Sequence, residues 1–431
     1  MDRAIRAKAL HFPGTNAGSM TYFDDGVLLI RDGIVVDFDD ASRLESKGFD
    51  LAQCESYPEH LLTPGFIDPH IHFPQWDVVA SFGTRLLEWL ETYTFPAERR
   101  FADPVFAELA AEEFCDGLLA AGTTTAMAYS SSHAVATEAL FRAAERRSMR
   151  LLTGKVLMDQ NAPDGVRDVM PAAISETEAL LKTWHGRGRL GYVITPRFAG
   201  TSTPEQLSAA GELFARYPDA WVQTHLSETI EEINWTASIH PSAKDYFGIY
   251  EDAGLANARA MMGHCIHLTE EEIRRMAGSG AAAIFCPSSN LFLGSGLMPY
   301  ERLMEAGIPV GLASDVGGGP QICLLHTMAD AYKVLQLQGY PLSAKEAFFQ
   351  VTKGNAQVLQ IDPFVGDFTP GKEADFILID PEKSPEVSRR VARAQTIDER
   401  LFALMMLGDA RVIAQASTLG ECRFSKRSEG T

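Results

Sequence analysis

Pro64-Gly65-Phe66-Ile67-Asp68-Pro69-His70-Ile71-His72-Phe73-Pro74-Gln75 starts on a turn-forming Pro-Gly pair, runs through an apolar segment and ends it with two histidines one residue apart. In an extended chain, residues i and i+2 share a face, so His70 and His72 present both imidazoles on one side. Two imidazoles on one wall supply half of a metal site. The other half has to come from distant parts of the chain.

Seven more apolar segments of strand length follow, at 123–129, 151–157, 191–197, 221–225, 260–264, 281–286 and 309–315. Stretches with helical spacing lie between them, among them FAELAAEEFCDGLLAAG (106–122), ATEALFRAAERRSM (136–149) and TPEQLSAAGELFARY (203–217). The last opens with Thr203 as an N-cap and Pro204 at the first helical position. Eight strands, each followed by helical sequence, make the count of an α/β (β/α)8 TIM barrel. Both chain ends differ in pattern. DGVLLIRDGIVVDFDD (25–40) holds two apolar runs around Arg31-Asp32-Gly33, a hairpin signal, and DFTPGKEADFILID (367–380) sets a Pro370-Gly371 turn before a β-rich run. The expected organisation is one small sheet domain built from both termini, 1–64 and 363–431, around a barrel at 65–362.

Placed on these strands, the polar residues converge. His70 and His72 end the first, His225 ends the fifth, His264 the sixth and Asp315 the eighth. Strand C-termini meet at the top face of a barrel, where active sites of this fold sit. His70, His72, His225, His264 and Asp315 are therefore the candidate metal ligands. Neutral imidazoles with one carboxylate suit zinc or iron(II) and leave a position open for water. Asp315 can take the proton of that water, and Glu228, three residues past His225, is a second carboxylate able to move protons onto a substrate nitrogen. His264 either completes the ligand set or flanks it. His133, His185, His240 and His326 read as ordinary hydrogen-bonded histidines, and His267 as a loop or supporting residue. Gly317-Gly318-Gly319 lacks the lysine and helix context of a phosphate cradle and reads as a flexible turn.

Composition sets outer limits. The 431 residues are 46% hydrophobic and 22% charged, with a formal net charge of -19. An acidic surface argues against nucleic acid or an anionic membrane as partner. Cys54, Cys115, Cys265, Cys286, Cys323 and Cys422 show no C-x-x-C spacing, and a reduced compartment is the simpler reading. The start, MDRAIRAKALHFPG, has no uninterrupted apolar run with a cleavage site, and no segment reaches the ~18 apolar residues of a membrane span. A cytoplasmic location is expected.

The chain resembles the amidohydrolase superfamily in PGFIDPHIH, THLSE, GHCIHLTEEE, CPSSNLFLGSG, ASDVGGG and FTPGKEADFIL, which occur in that family's order. The resemblance implies a barrel carrying a metal at its top and a β-sandwich from both termini. Members with two metals bridge them by a carboxylated lysine on strand 4. Here LGYVITPRFAG offers Arg197 instead, and Lys155 lies on strand 3, so one zinc ion per subunit is implied, with iron(II) as the alternative. HIHFPQ, GKVLMDQNAP, PRFAG and HLSETIEEINW narrow the likeness to the guanine deaminase family. By that resemblance Arg197 would hydrogen-bond the purine O6, Phe198 would pack on the ring and Gln75 would contact its edge, while His225 and Asp315 would face both metal and substrate. Glu228, Asp315 and His264 would carry the hydrolysis of guanine to xanthine and ammonia. The implied partner is a small purine, and members of the family are commonly homodimers. Pro69, where threonine is more usual, and Ser288-Ser289, where Asn-Ser is common, depart from the pattern without touching the ligands. Two rivals are another deaminase of the superfamily, acting on a pterin, a triazine or a purine- or pyrimidine-like ring, and a non-catalytic barrel. The second would lack a ligand or the glutamate.

Overall fold

Asp32 and Gly33 take φ values of 50° and 76°, the paired left-handed conformations of a tight two-residue hairpin. They join β2 (Thr21–Arg31) to β3 (Ile34–Asp40), where the Asp-Gly signal puts them, with β1 (Arg3–His11) before and β4 (Glu55–Pro64) after. The computed structural model describes residues 2–83 and 85–426. The expected terminal spans begin at Met1 and end at Thr431, and those extreme positions lie outside the described residues.

Next come β5 (Phe66–His72), β6 (Thr123–Tyr129), β7 (Arg150–Gly154), β8 (Val156–Leu157), β9 (Leu190–Pro196) and β10 (Trp221–Leu226). β11 (Ala260–His264), β12 (Ala282–Phe285) and β13 (Val310–Leu312) follow, and β14 (Phe376–Ile379), β15 (Ile413–Thr418) and β16 (Glu421–Ser425) finish the chain. The chain divides into two compact units: Met1–Asp68 with Asp116–Thr125 and Ile322–Thr431, and Pro69–Cys115 with Ala126–Gln321.

In the first unit both chain ends build one sheet in the order β16-β15-β14-β4-β1-β2-β3. Alternation along its strands buries both faces. Ile5, Ala7, Ala9, Leu28 and Ile30 pack on one side with Phe368 and Phe376, while Ala4, Val27 and Leu29 meet Leu44 on the other. This is the period of two expected of strands covered on each face.

The other sheet runs β13-β12-β11-β10-β9-β7-β6-β5, with β8 paired to β9. Its ladders from β9 to β13 are parallel, and β5, β6 and β9 are buried along their whole length, as parallel strands covered on both faces must be. Two backbone hydrogen bonds close the ring: Asp315 N–H donates to the His70 carbonyl at 3.0 Å and His72 N–H to that of Val316 at 2.7 Å. Helices follow the strands, including Pro104–Ala120, Ala134–Arg146 and Pro204–Arg216. The Thr203 hydroxyl caps the last by accepting from Gln206 N–H.

Two strands differ from expectation. The segment at 151–157 breaks at Lys155 into β7 and β8, and that at 309–315 is extended only over Val310–Leu312. Asp315 has φ 48°, which no strand residue adopts, so its carboxylate is aimed by a turn.

Candidate active site

The imidazoles of His70, His72 and His225 meet at the C-terminal ends of β5 and β10, their ligand nitrogens within 4.8 Å of one another. His72 Nε2 lies 3.2 Å from His225 Nε2, and Asp315 Oδ1 is 3.4 Å from His70 Nε2 and 3.2 Å from His72 Nε2. Burial lowers His72 to about 3 and puts His225 well below its ordinary value, so both rings are neutral. Burial alone would raise the Asp315 carboxyl. The facing imidazoles, His70 foremost, outweigh it and hold the group well below the usual carboxylate range. Neutral imidazoles and an ionised carboxylate are the protonation states that a divalent ion needs from its ligands, so the donor set fits one. The His225 Nδ1–H donates to the Arg197 carbonyl at 2.7 Å, which orients the ring with Nε2 toward the cluster.

His264 stands slightly apart. Its Nε2 is 3.4 Å from Glu228 Oε2 and 3.7 Å from Asp315 Oδ2, and its Nδ1 faces Asn290 Oδ1 at 3.0 Å. The residue has φ 70°, so His264, like Asp315, sits in a backbone conformation that costs roughly 1–3 kcal/mol. Burial, with the Asp315 charge adding to it, pushes Glu228 up to about 8, although the Ser295 hydroxyl donates to its Oε1 at 2.7 Å. A carboxyl of that affinity carries a proton at neutral pH. His267 Nε2–H donates to the Ser295 carbonyl at 2.8 Å and so anchors the loop that holds Glu228.

His72, His225, Glu228, His264 and Asp315 line a pocket of about 420 Å³, the solvent at its mouth included, walled by Leu86, Trp89, Leu90 and Phe198. Gln75, Arg197 and Asp315 open onto it. Arg197 Nη1 donates to both oxygens of Glu98, at 2.7 and 2.8 Å. Burial pushes the Glu98 carboxyl up while Arg197 and Gln75 pull it down. The Gln75 side-chain oxygen accepts from Gly317 N–H at 3.1 Å. Phe198 packs 5.8 Å from Trp235, ring centre to ring centre.

Gly317-Gly318-Gly319 is a crowded turn, not the flexible one expected. An added Cβ would lie 2.6 Å from the Gln75 carbonyl, 2.4 Å from Ser289 Oγ and 1.9 Å from the Ser314 carbonyl, so the chain needs three glycines there for close approach. Of the histidines expected to be hydrogen-bonded, His240 bonds to the Ala199 carbonyl at 2.8 Å and His185 to Asp219 at 3.2 Å, whereas His326 Nδ1 faces Asp330 at 3.5 Å without a hydrogen bond and His133 Nε2 is buried with none among the described residues. Lys155 is buried against Asp168, away from the imidazole cluster.

Four site residues escaped the reading of the sequence. Tyr129 ends β6 with its ring 4.5 Å from that of His72, and the rule that strand ends carry the site could have found it. Cys286, just past β12, reaches His70 and Asp315 closely enough to be a third donor. Glu232 closes a capping box with Thr229, legible as T-x-x-E, and its Oε2 accepts from Glu228 N–H at 2.9 Å. Glu98 sits on the helix Phe95–Arg99, outside every strand end, and nothing in the local sequence marks it.

The model of the Amidohydrolase family matches residues 61–415. Guanine deaminase of Escherichia coli (strain K12) is 42% identical over 414 residues, covering 96% of this chain and 94% of that protein. Among solved structures, E. coli guanine deaminase superposes with a TM-score of 0.96 at 39% identity, covering 99% of this chain and 100% of the other. Guanine deaminase from C. acetobutylicum, with guanine bound in its active site, gives 0.89 at 27% identity, covering 98% and 100%.

Proposed function

The chain belongs to the amidohydrolase family and, within it, to the guanine deaminases, and from that premise we propose how its residues hydrolyse guanine to xanthine and ammonia. His70, His72, His225 and Asp315 hold one metal ion, with His264 beside it. Zinc, or iron(II) on the same ligands, supplies Lewis acidity that lowers the pKa of a water from ~15.7 towards ~7. Asp315 Oδ2, on the side away from His70 and His72, accepts the proton of the attacking water. The water oxygen adds to purine C2. Glu228 Oε2 gives its proton to the neighbouring ring nitrogen, which makes C2 more electrophilic. The C2–N bond then breaks as the proton held by Asp315 passes to the departing amine, while the C2 hydroxyl returns a proton to Glu228 and becomes the carbonyl of xanthine. His264, between the two carboxylates, keeps them on separate errands and polarises the attacked centre.

Recognition falls to Arg197, which donates to the purine O6, to Phe198 against the ring, and to Gln75 at its edge. Adenine, with an amine at C6, would offer no acceptor to the guanidinium nitrogens of Arg197 that Glu98 does not engage, and a site of this kind rejects such an analogue strongly. The catalytic segment is 65–362, which holds every barrel strand and every residue named here. A homodimer is proposed from the habit of the family. A cytoplasmic location is supported by six cysteines of which none is in a disulfide, and no helix among the described residues is long and apolar enough to cross a membrane.

One observation carries the reading: the imidazoles of His70, His72 and His225 and the ionised carboxylate of Asp315 meet in one cluster, beside a carboxyl, that of Glu228, which keeps its proton. Ammonia release should be fast with guanine and slow with adenine, cytosine and pterins. It should vanish on exhaustive chelation and return with zinc. Full turnover of guanine by metal-free enzyme would end the proposal.

A further inference from the structure

Glu98 has no part in the proton transfers above, yet it is 1% exposed and faces Arg197, which is 3% exposed. Both of its oxygens accept from the same nitrogen, Arg197 Nη1, at 2.7 and 2.8 Å. The side chain of Gln75 bonds to the same carboxylate. A carboxyl that only accepts, from a guanidinium, is ionised. The pair is therefore a buried ion pair of zero net charge, and only one arginine nitrogen is engaged in it. The other contact of that nitrogen is Met158 Sδ at 3.9 Å, which leaves Nη2 and Nε to meet a ligand.

Resting on the proposed reaction, we infer that Glu98 is a positioning residue that cancels the charge of Arg197, so that the pocket recognises the O6 of a neutral purine without retaining an anionic product. The chemistry of the reaction calls for such a device. Deamination replaces the C2 amine by a second conjugated carbonyl, which makes xanthine a stronger acid than guanine. Product is partly anionic where substrate is not. An uncompensated guanidinium in a pocket shut off from water would bind that anion tightly. It would also be drawn to Glu228, Glu232 and Asp315, which line the same pocket. Glu98 removes both hazards and leaves the donor geometry in place.

The cover of the pocket is tied to the same bond. Leu86, Trp89 and Leu90 wall the site, and the chain runs from them through Leu90–Thr94 into the helix that carries Glu98. Arg197 Cζ lies 5.3 Å from the Phe95 ring of that helix. Glu98 thus fastens the segment that covers the purine to the residue that reads it.

The test compares metal-loaded wild type with Glu98→Gln, which keeps the size of the side chain and drops its charge. KM and kcat for guanine, and the inhibition constant of xanthine, are measured below and above the ionisation of xanthine. We expect guanine KM to rise about tenfold with kcat changed much less, and xanthine to bind the variant at least ~10-fold more tightly only where it is anionic. A merely structural role would weaken guanine and xanthine alike at every pH, and that result would overturn the inference. So would a variant indistinguishable from wild type. Should Glu98→Gln fail to fold, Glu98→Asp decides. It keeps the charge and shortens the reach, so KM must rise while xanthine inhibition keeps the wild-type pH profile; tight binding of the anion by that variant refutes the charge role. Wild type that leaves guanine untouched would remove the reaction and the inference together, whereas active wild type with unaltered product inhibition in Glu98→Gln would remove Glu98 alone.

Discussion

Glu228 is the residue on which we expect turnover to depend, because it combines a raised proton affinity with a place in the pocket beside the imidazole cluster. In Glu228→Gln the amide cannot give up a proton at neutral pH, and the ligands are untouched. We expect metal content by elemental analysis to stay at the wild-type level and kcat to fall by ~10²–10⁴. A wild-type rate would show that the proton comes from elsewhere. Gly263 gives a second test on one atom. A Cβ there would lie 2.7 Å from His70 Cε1, closer than packed carbons tolerate, so Gly263→Ala must displace the His70 ring. Metal affinity, read by titration against a chelator, should weaken ~10–100-fold, the range seen when a ligand loses its orientation. Unchanged affinity would mean that His70 is not a ligand. His70, His72, His225, His264, Asp315 and Glu228 could be put forward as candidates, because each stands at or just past an apolar run of strand length. Glu98 could not, because its meaning comes wholly from a partner far away in the chain.

At the scale of elements, the barrel supplies strand ends and the turns beyond them supply aim. His264 and Asp315 owe their direction to left-handed backbone, a feature that strand periodicity does not encode. The loop after β10 shows how a turn is held. The Thr229 hydroxyl accepts from Glu232 N–H at 3.1 Å while Glu232 Oε2 takes Glu228 N–H and Thr229 N–H, so the capping box of the helix Ile230–Ile239 also fixes the backbone of Glu228. Thr229→Ala should cost about 1 kcal/mol in denaturant unfolding and also lower kcat, as the glutamate loses its fixed position. A stability loss with unaltered kcat would confine the box to a structural role. The signal for this box was in the sequence, and so was the Asp32-Gly33 hairpin. The length of β13 was not, since the apolar pattern at 309–315 continues past the point where the backbone turns.

For the molecule as a whole, the sheet built from both chain ends makes its own prediction about acid. His11 in β1 accepts from Phe368 N–H at its Nδ1, 3.0 Å away, with Phe38 and Phe368 rings against it. Burial lowers its imidazole to about 4, with Lys372 and Lys353 aiding and Asp367 opposing. The unfolded chain, whose histidine has the ordinary value near 6.5, therefore takes up the proton first. The stability that a neutral His11 contributes is complete above that value and is lost as the pH falls through about 4, a sum on the order of 3 kcal/mol. Denaturant unfolding of metal-free wild type and His11→Gln between those limits should show the wild type losing more. Parallel losses would mean that the imidazole is not buried neutral.

The sequence by itself determined the alternation of strand and helix, the hairpin and the family, and it put forward the candidate ligands, because each rests on patterns local to a few residues or on motifs in fixed order. Only the tertiary structure decided which groups face one another: that Glu98 bonds to Arg197, that His264 lies between two carboxylates, and that three glycines are packed where a loose turn was expected. Such pairings depend on through-space distance, burial and φ. A closed ring of strands sets these by bringing positions hundreds of residues apart within a few ångströms, and no local spacing records the result.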